Sequence, residues 1–166
     1  MHSEDLVLAI IAALPDKKIK GKKRLQKVAF LLKTAGVRCD AHFSIQDYGP
    51  FSREIAAAAQ SLVLKGRIEE REEPIGASST FVTVYRLHGV AENAIRPLQE
   101  KYKRLLRRLE DFPTVDLEVA ATLQFFKLAG FATEAARRKT IELKPVKTTA
   151  QVMKNVPRIL DSVLST

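Results

Sequence analysis

Residues 21–36, GKKRLQKVAFLLKTAG, and residues 42–68, HFSIQDYGPFSREIAAAAQSLVLKGRI, read as helix, extended link, helix. In the first, Leu25, Val28, Ala29 and Leu32 recur at i, i+3, i+4 and i+7, the spacing of a buried stripe over about Lys22 to Ala35. Phe30 and Leu31 widen the stripe, so this helix packs on two sides, and Gly36 suits the left-handed residue just past its end. In the second, Tyr48-Gly49-Pro50-Phe51 turns the chain and Ser52 caps a helix carrying Glu54 in its first turn. Ile55, Ala58, Ala59, Leu62 and Val63 face inward, and Gly66 stops the helix.

Working outward, Ser3 is an N-cap for an opening helix that Pro15 and Asp16 terminate, and Lys17 to Gly21 reads as a basic turn. Ala41 to Ile45 alternates loosely, as a short strand would. After Gly66 the period changes to two. Ile68 begins a short strand, Glu69 to Ser79 is a polar loop, and Phe81 to Leu87 is the return strand. Three helices followed by such a hairpin is the order of a winged helix-turn-helix. After Gly89 come a long amphipathic helix (Ile95, Leu98, Tyr102, Leu105, Leu106, Leu109), a helix capped by Asp116 that ends before Gly130, and a short one capped by Thr133. The last helix starts at Thr148 or Thr149, with Val152, Val156, Ile159, Leu160 and Val163 inward and a kink expected at Pro157. The expected fold is mainly α with a small β-hairpin: a winged-helix domain over residues 1–89 and a C-terminal helical domain, 90–166, packed on it.

The motifs GKKRLQKVAFLL, DYGPFSREI and LVLKGRI, with Leu143-Lys144-Pro145 near the end, resemble a family of small prokaryotic proteins called YwgA-like. The chain is more distantly similar to the Panacea domain of SocA-type antitoxins. The residues that carry the likeness are Gly21, Arg24 to Lys27, Phe30, Leu31, Tyr48 to Ser52, Gly66 and Ile68. The resemblance implies winged-helix character and, through the Panacea relatives, toxin neutralisation or an adapter role.

A net charge of +9 in 166 residues favours an acidic partner. Its distribution narrows the choice. Residues 15–38 hold nine basic residues and one acid, whereas residues 52–88 hold five of each. A winged helix that reads bases needs Arg, Lys, Asn or Gln on its second motif helix, where the outward candidates are only Arg53, Gln60, Ser61 and Lys65. Glu69, Glu70, Glu72 and Glu73 would repel phosphates. Sequence-tolerant contact with DNA phosphates through Lys17, Lys18, Lys20, Lys22, Lys23, Arg24 and Lys27, helped by Arg53 and Lys65, is the reading that charge supports. The alternative is a protein-interaction module, an antitoxin or adapter, contacting its partner through Tyr48, Phe51 and the basic helix face Lys103, Arg104, Arg107 and Arg108. Tyr48 and Phe51 could also stack on a base, or anchor the turn in the core. A homodimer fits either reading.

Catalytic patterns are absent. Cys39-x-x-His42 is half a metal site, Gly49-Pro50-Phe51-Ser52 is not a nucleophile elbow, and no glycine-rich phosphate loop occurs. Asp40, His42 and Asp47 are close in sequence with nothing to make them converge. The expectation is a non-enzymatic regulator, transcriptional or defence-related, with no cofactor and no metal. A lone cysteine, an acidic N-terminus and no long apolar run imply a cytoplasmic protein without a membrane partner.

Overall fold

Helix α1 (Ser3–Ala13) opens the computed structural model, which describes residues 1–77, 79–88, 95 and 97–166. Its cap position is His2. Ser3 is the first helical residue, and its hydroxyl donates to Asp40 Oδ1 at 2.6 Å instead of capping. A tight turn at Pro15–Lys17 places Asp16 and Lys17 at positive φ and leads into strand β1 (Lys18–Lys20). That segment is therefore a strand, not only the basic turn expected: alternation puts Ile19 inward, 2% exposed, between two outward lysines.

Helix α2 (Lys22–Thr34) runs through the centre of the molecule, with Gly36 just beyond it at φ 105. Next comes a small hairpin, β2 (Ser44–Gln46) and β3 (Gly49–Phe51), paired antiparallel with Ile45 opposite Pro50. The strand expected over Ala41–Ile45 thus begins later, and its partner is the GPF segment that reads as a turn. Helix α3 (Arg53–Leu64) follows, and Ser52 caps it by accepting from Ile55 N at 3.2 Å.

Strands β4 (Ile68–Pro74) and β5 (Phe81–Leu87) complete a three-stranded antiparallel sheet in the order β1-β5-β4. Four of the residues expected in a polar loop, Glu69, Glu70, Glu72 and Glu73, are in strand β4. Their cross-strand partners on β5, Arg86, Tyr85, Thr83 and Val82, supply the pairing that overrides poor strand propensity.

Four helices make up the remainder: α4 (Glu100–Glu110), α5 (Thr114–Leu128), α6 (Thr133–Leu143) and α7 (Ala150–Leu164). The boundary expected at 89/90 lies outside the described residues. Asp116 and Thr133 do not cap: the caps are Pro113 and Ala132. Asp116 lies inside α5 and is 3% exposed, accepting from Asn155 Nδ2 at 2.7 Å. Thr149 does cap α7, which continues through Pro157 on its exposed side, and all five expected inward residues of α7 are buried. One continuous hydrophobic core joins α1, α2 and α3 to α4, α5 and α7. The chain is mainly helical with a small antiparallel sheet, and among the described residues no helix is long and apolar enough to cross a membrane.

Candidate functional site

Two cations of the basic cluster, Arg24 and Lys27, are spent inside the molecule. Arg24 is 8% exposed. Its guanidinium donates to the carbonyls of Leu109 and Phe112, each at 2.9 Å, and pairs with Glu110 Oε1 at 3.0 Å. It ties α2 to the turn between α4 and α5, satisfying carbonyls at the C-terminal end of α4. Lys27 is 1% exposed, and its Nζ donates to Pro50 O at 2.7 Å. Neither side chain can meet a phosphate at the surface, which corrects the expectation for both.

The outer lysines are paired. Lys18 lies 3.0 Å from Asp16, Lys20 3.0 Å from Glu73, and Lys22 2.8 Å from Glu70. Hydrogen bonding to Glu70 holds the Lys22 ammonium above the usual lysine pKa. Of the hairpin glutamates expected to repel a polyanion, Glu70 and Glu73 pair with lysines, while Glu69 pairs with Arg71 and Glu72 accepts from Thr83 Oγ1. Lys65 pairs with Glu4 at 2.8 Å, while Lys17 and Arg53 are exposed at the surface. On α4, Arg104, Arg107 and Arg108 line the wet side, with Lys103 and Arg107 near Glu100 at 3.6 and 3.8 Å.

Lys23 behaves differently. Its Nζ sits 3.4 Å from the centroid of the Tyr48 ring, and Lys147 Nζ lies 5.0 Å from the same centroid. Tyr48 is 51% exposed, so it does not anchor the turn in the core, and Phe51 is half-buried. The β2–β3 hairpin beneath them is clamped from three helices. Gln26 of α2 exchanges two hydrogen bonds with the Ser52 backbone, at 2.9 and 3.0 Å. Lys144, at the end of α6, donates to Asp47 O at 2.6 Å and pairs with Glu118 of α5 at 2.7 Å. Lys147 adds a second contact to Glu118 at 2.8 Å. Gly49, at φ 83, passes so close to α5 that a Cβ would stand 2.5 Å from Thr122 Oγ1.

Around this hairpin, Lys144 and Lys147 share the Glu118 carboxylate, and Lys23, Lys144 and Lys147 crowd the buried Lys27 ammonium. Burial depresses the Lys27 pKa to about 8, with Glu118 opposing the shift and the three other lysines adding to it. A cavity of about 290 Å³ opens beside the cluster, walled by Leu25 and Gln26 of α2, Ala56, Ala59 and Gln60 of α3, Tyr48 and Phe51 of the hairpin, and Tyr85 of β5. Lys22, Lys23 and Lys27 also line it.

Sequence reasoning passed over Glu118, Lys144 and Lys147. A glutamate inside the apolar run Val115–Leu123 was the available signal, since a charge on a buried helix face needs a partner. Asp40, His42 and Asp47 do not converge. Asp40 holds His2 and Ser3, His42 holds Glu54 at 3.2 Å, and Asp47 offers its backbone carbonyl to Lys144. Among the described residues no three of His, Cys, Asp and Glu group to hold a metal.

A second feature lies in the stretch from the end of α5 through α6 to the turn before α7. Of ten large hydrophobic residues exposed among those described, five fall between positions 128 and 146: Leu128, Phe131, Ile141, Leu143 and Val146. Phe131 packs edge-on against Phe126 and under Lys139 Nζ. Arg137 and Arg138, one turn from Ile141, are exposed, and neither pairs with a carboxylate among the described residues.

The chain matches no family model, no curated protein and no solved structure.

Proposed function

We propose that this protein is a non-enzymatic protein-interaction module on a winged-helix-type scaffold. It docks an acidic segment of a partner protein, anchored by apolar side chains, on the corner formed by α5 and α6. The observation that carries this reading is the concentration of exposed Leu128, Phe131, Ile141, Leu143 and Val146 in one stretch with Arg137 and Arg138, which pair with no carboxylate among the described residues. Apolar anchors rimmed by arginine are the composition of protein interfaces, and the cations select an acidic partner. The scaffold reading is supported by the order α1-β1-α2-β2-β3-α3-β4-β5, in which β5 lies between β1 and β4 and a short hairpin separates α2 from α3.

The alternative, contact with DNA, loses much of its basis because, at the start of α2, Lys22 is paired with Glu70 and Arg24 and Lys27 are buried, leaving Lys23 exposed over the Tyr48 ring. The exposed face of α3 offers Arg53, Ala57, Gln60 and Leu64, a poor set for reading bases. The resemblance to Panacea proteins, with their adapter roles, points the same way as the surface does.

The test is a pull-down by the immobilised full chain from native lysate at physiological salt, with and without nuclease. The expected result is a protein that survives nuclease treatment and is lost with Val146→Asp but kept by the Lys20→Ala, Lys22→Ala double variant. Retention that disappears with nuclease, or that depends on Lys20 and Lys22 rather than on Val146, overturns the reading.

A further inference from the structure

We propose that the cavity between α2, α3 and the β2–β3 hairpin is a binding site for a small, flat apolar molecule bearing one anionic group, such as an aromatic carboxylate. The body of the ligand would lie against Leu25, Ala59, Phe51 and Tyr85, and the anion would meet Lys23 at the rim, with the Lys27 ammonium buried behind the wall. The site is separate from the α5–α6 corner, and the inference does not depend on the docking reading.

Three observations combine. First, a volume of about 290 Å³ lies at the lower edge of small-molecule sites, enough for one or two rings. Second, the walls are mostly aliphatic and aromatic, with glutamine amides and ammonium groups as the polar points, the usual division between affinity and orientation. Third, the charges there are unbalanced. Lys22 is neutralised by Glu70, but among the described residues Lys23 has only the Tyr48 ring, and Lys27 gives one of its three N–H donors to Pro50 O. No second acceptor for Lys27 occurs among the described residues. The Lys27 ammonium, buried behind the cavity wall and already crowded by Lys23, Lys144 and Lys147, favours an anion at the rim over a cation.

Three probes of one shape and different charge separate these effects: naphthoate, naphthalenemethanol and naphthylmethylammonium, each titrated into the full chain and followed by amide NMR shifts. Naphthoate is expected to bind with a Kd of about 1 mM or tighter, ahead of the alcohol, with the ammonium probe weakest. The shifted amides should be those of Leu25, Phe51 and Ala59. Lys23→Ala, a surface change that leaves the core intact, should weaken naphthoate by about threefold to fivefold and leave the alcohol unchanged. Ala56→Phe should fill the cavity and abolish binding of all three. Equal affinity for the anion and the cation, shifts confined to other surfaces, or no saturable shift with naphthoate would each overturn the proposal, whether or not the Ala56 variant folds.

Discussion

Lys144 Nζ lies 2.7 Å from Glu118 Oε1, and the two side chains are 1% and 3% exposed. They join the end of α6 to the middle of α5, and the same ammonium holds the hairpin through Asp47 O. Because Lys147 shares this carboxylate, Glu118→Gln strands two ammonium groups at once. The expected loss is about 3–5 kcal/mol, the cost of an uncompensated buried charge. Urea unfolding checks it, and adding Lys144→Met to Glu118→Gln should recover part of the loss.

Arg24 makes the complementary connection, from α2 to the α4–α5 turn. Its planar fork serves Leu109 O, Phe112 O and Glu110 together. A lysine has one point of charge and cannot hold that spread of acceptors. Arg24→Lys is therefore expected to cost roughly 2–4 kcal/mol, despite keeping the charge, since it leaves buried carbonyls unpaired. If Arg24 instead served a phosphate at the surface, Arg24→Lys would change stability little. A thermal melt of the variant separates the two.

At Gly49 two penalties are superposed. The φ of 83 strains any residue with a Cβ, and that Cβ would stand 2.5 Å from Thr122 Oγ1. Gly49→Ala is expected to destabilise by about 2–4 kcal/mol, combining left-handed backbone strain with overpacking. The Gly49→Ala, Thr122→Ala double variant removes the clash and keeps the strain. It should be less than additive in a double-mutant cycle measured by denaturant titration.

Much of this architecture is legible from local pattern. The stripes of α2, α3 and α7 carry their own period, Ser52 and Thr149 announce their caps, and Gly36, Gly66 and Gly130 take the positive φ values their positions need. What local pattern does not carry is pairing across the chain. Strand β1 is three residues long and exists because β5 receives it, with Ile19 opposite Tyr85. Strand β4 is rich in glutamate and is held by its register with β5, not by propensity. The charge cluster fails for the same reason. Nine cations in one segment look like a surface when read alone, yet Arg24 finds its carboxylate 86 residues later and Lys27 its carbonyl 23 residues later. Glu118 and Lys144, which help hold the hairpin, sit in segments where nothing nearby in sequence marks them as partners.

The buried ammonium of Lys27 gives stability a pH dependence of unusual sign. Desolvation lowers its pKa to about 8 in the folded chain, whereas a lysine in the unfolded chain titrates near 10.5. Between those values the unfolded state binds more protons than the folded state, so Lys27 adds to stability as pH rises through that window. Below about pH 8 both states are protonated and the full cost of burying the charge is present, roughly 3 kcal/mol for a shift of this size. Lys27→Met removes the titrating group and leaves Pro50 O without its donor. Comparing unfolding free energies of the two proteins at pH 7.5 and at pH 10 isolates the contribution from every other titrating residue. The difference should move in favour of the native lysine at the higher pH, by about 1–3 kcal/mol. A difference that stays flat, or moves the other way, would mean that Lys27 is solvated rather than enclosed by the hairpin.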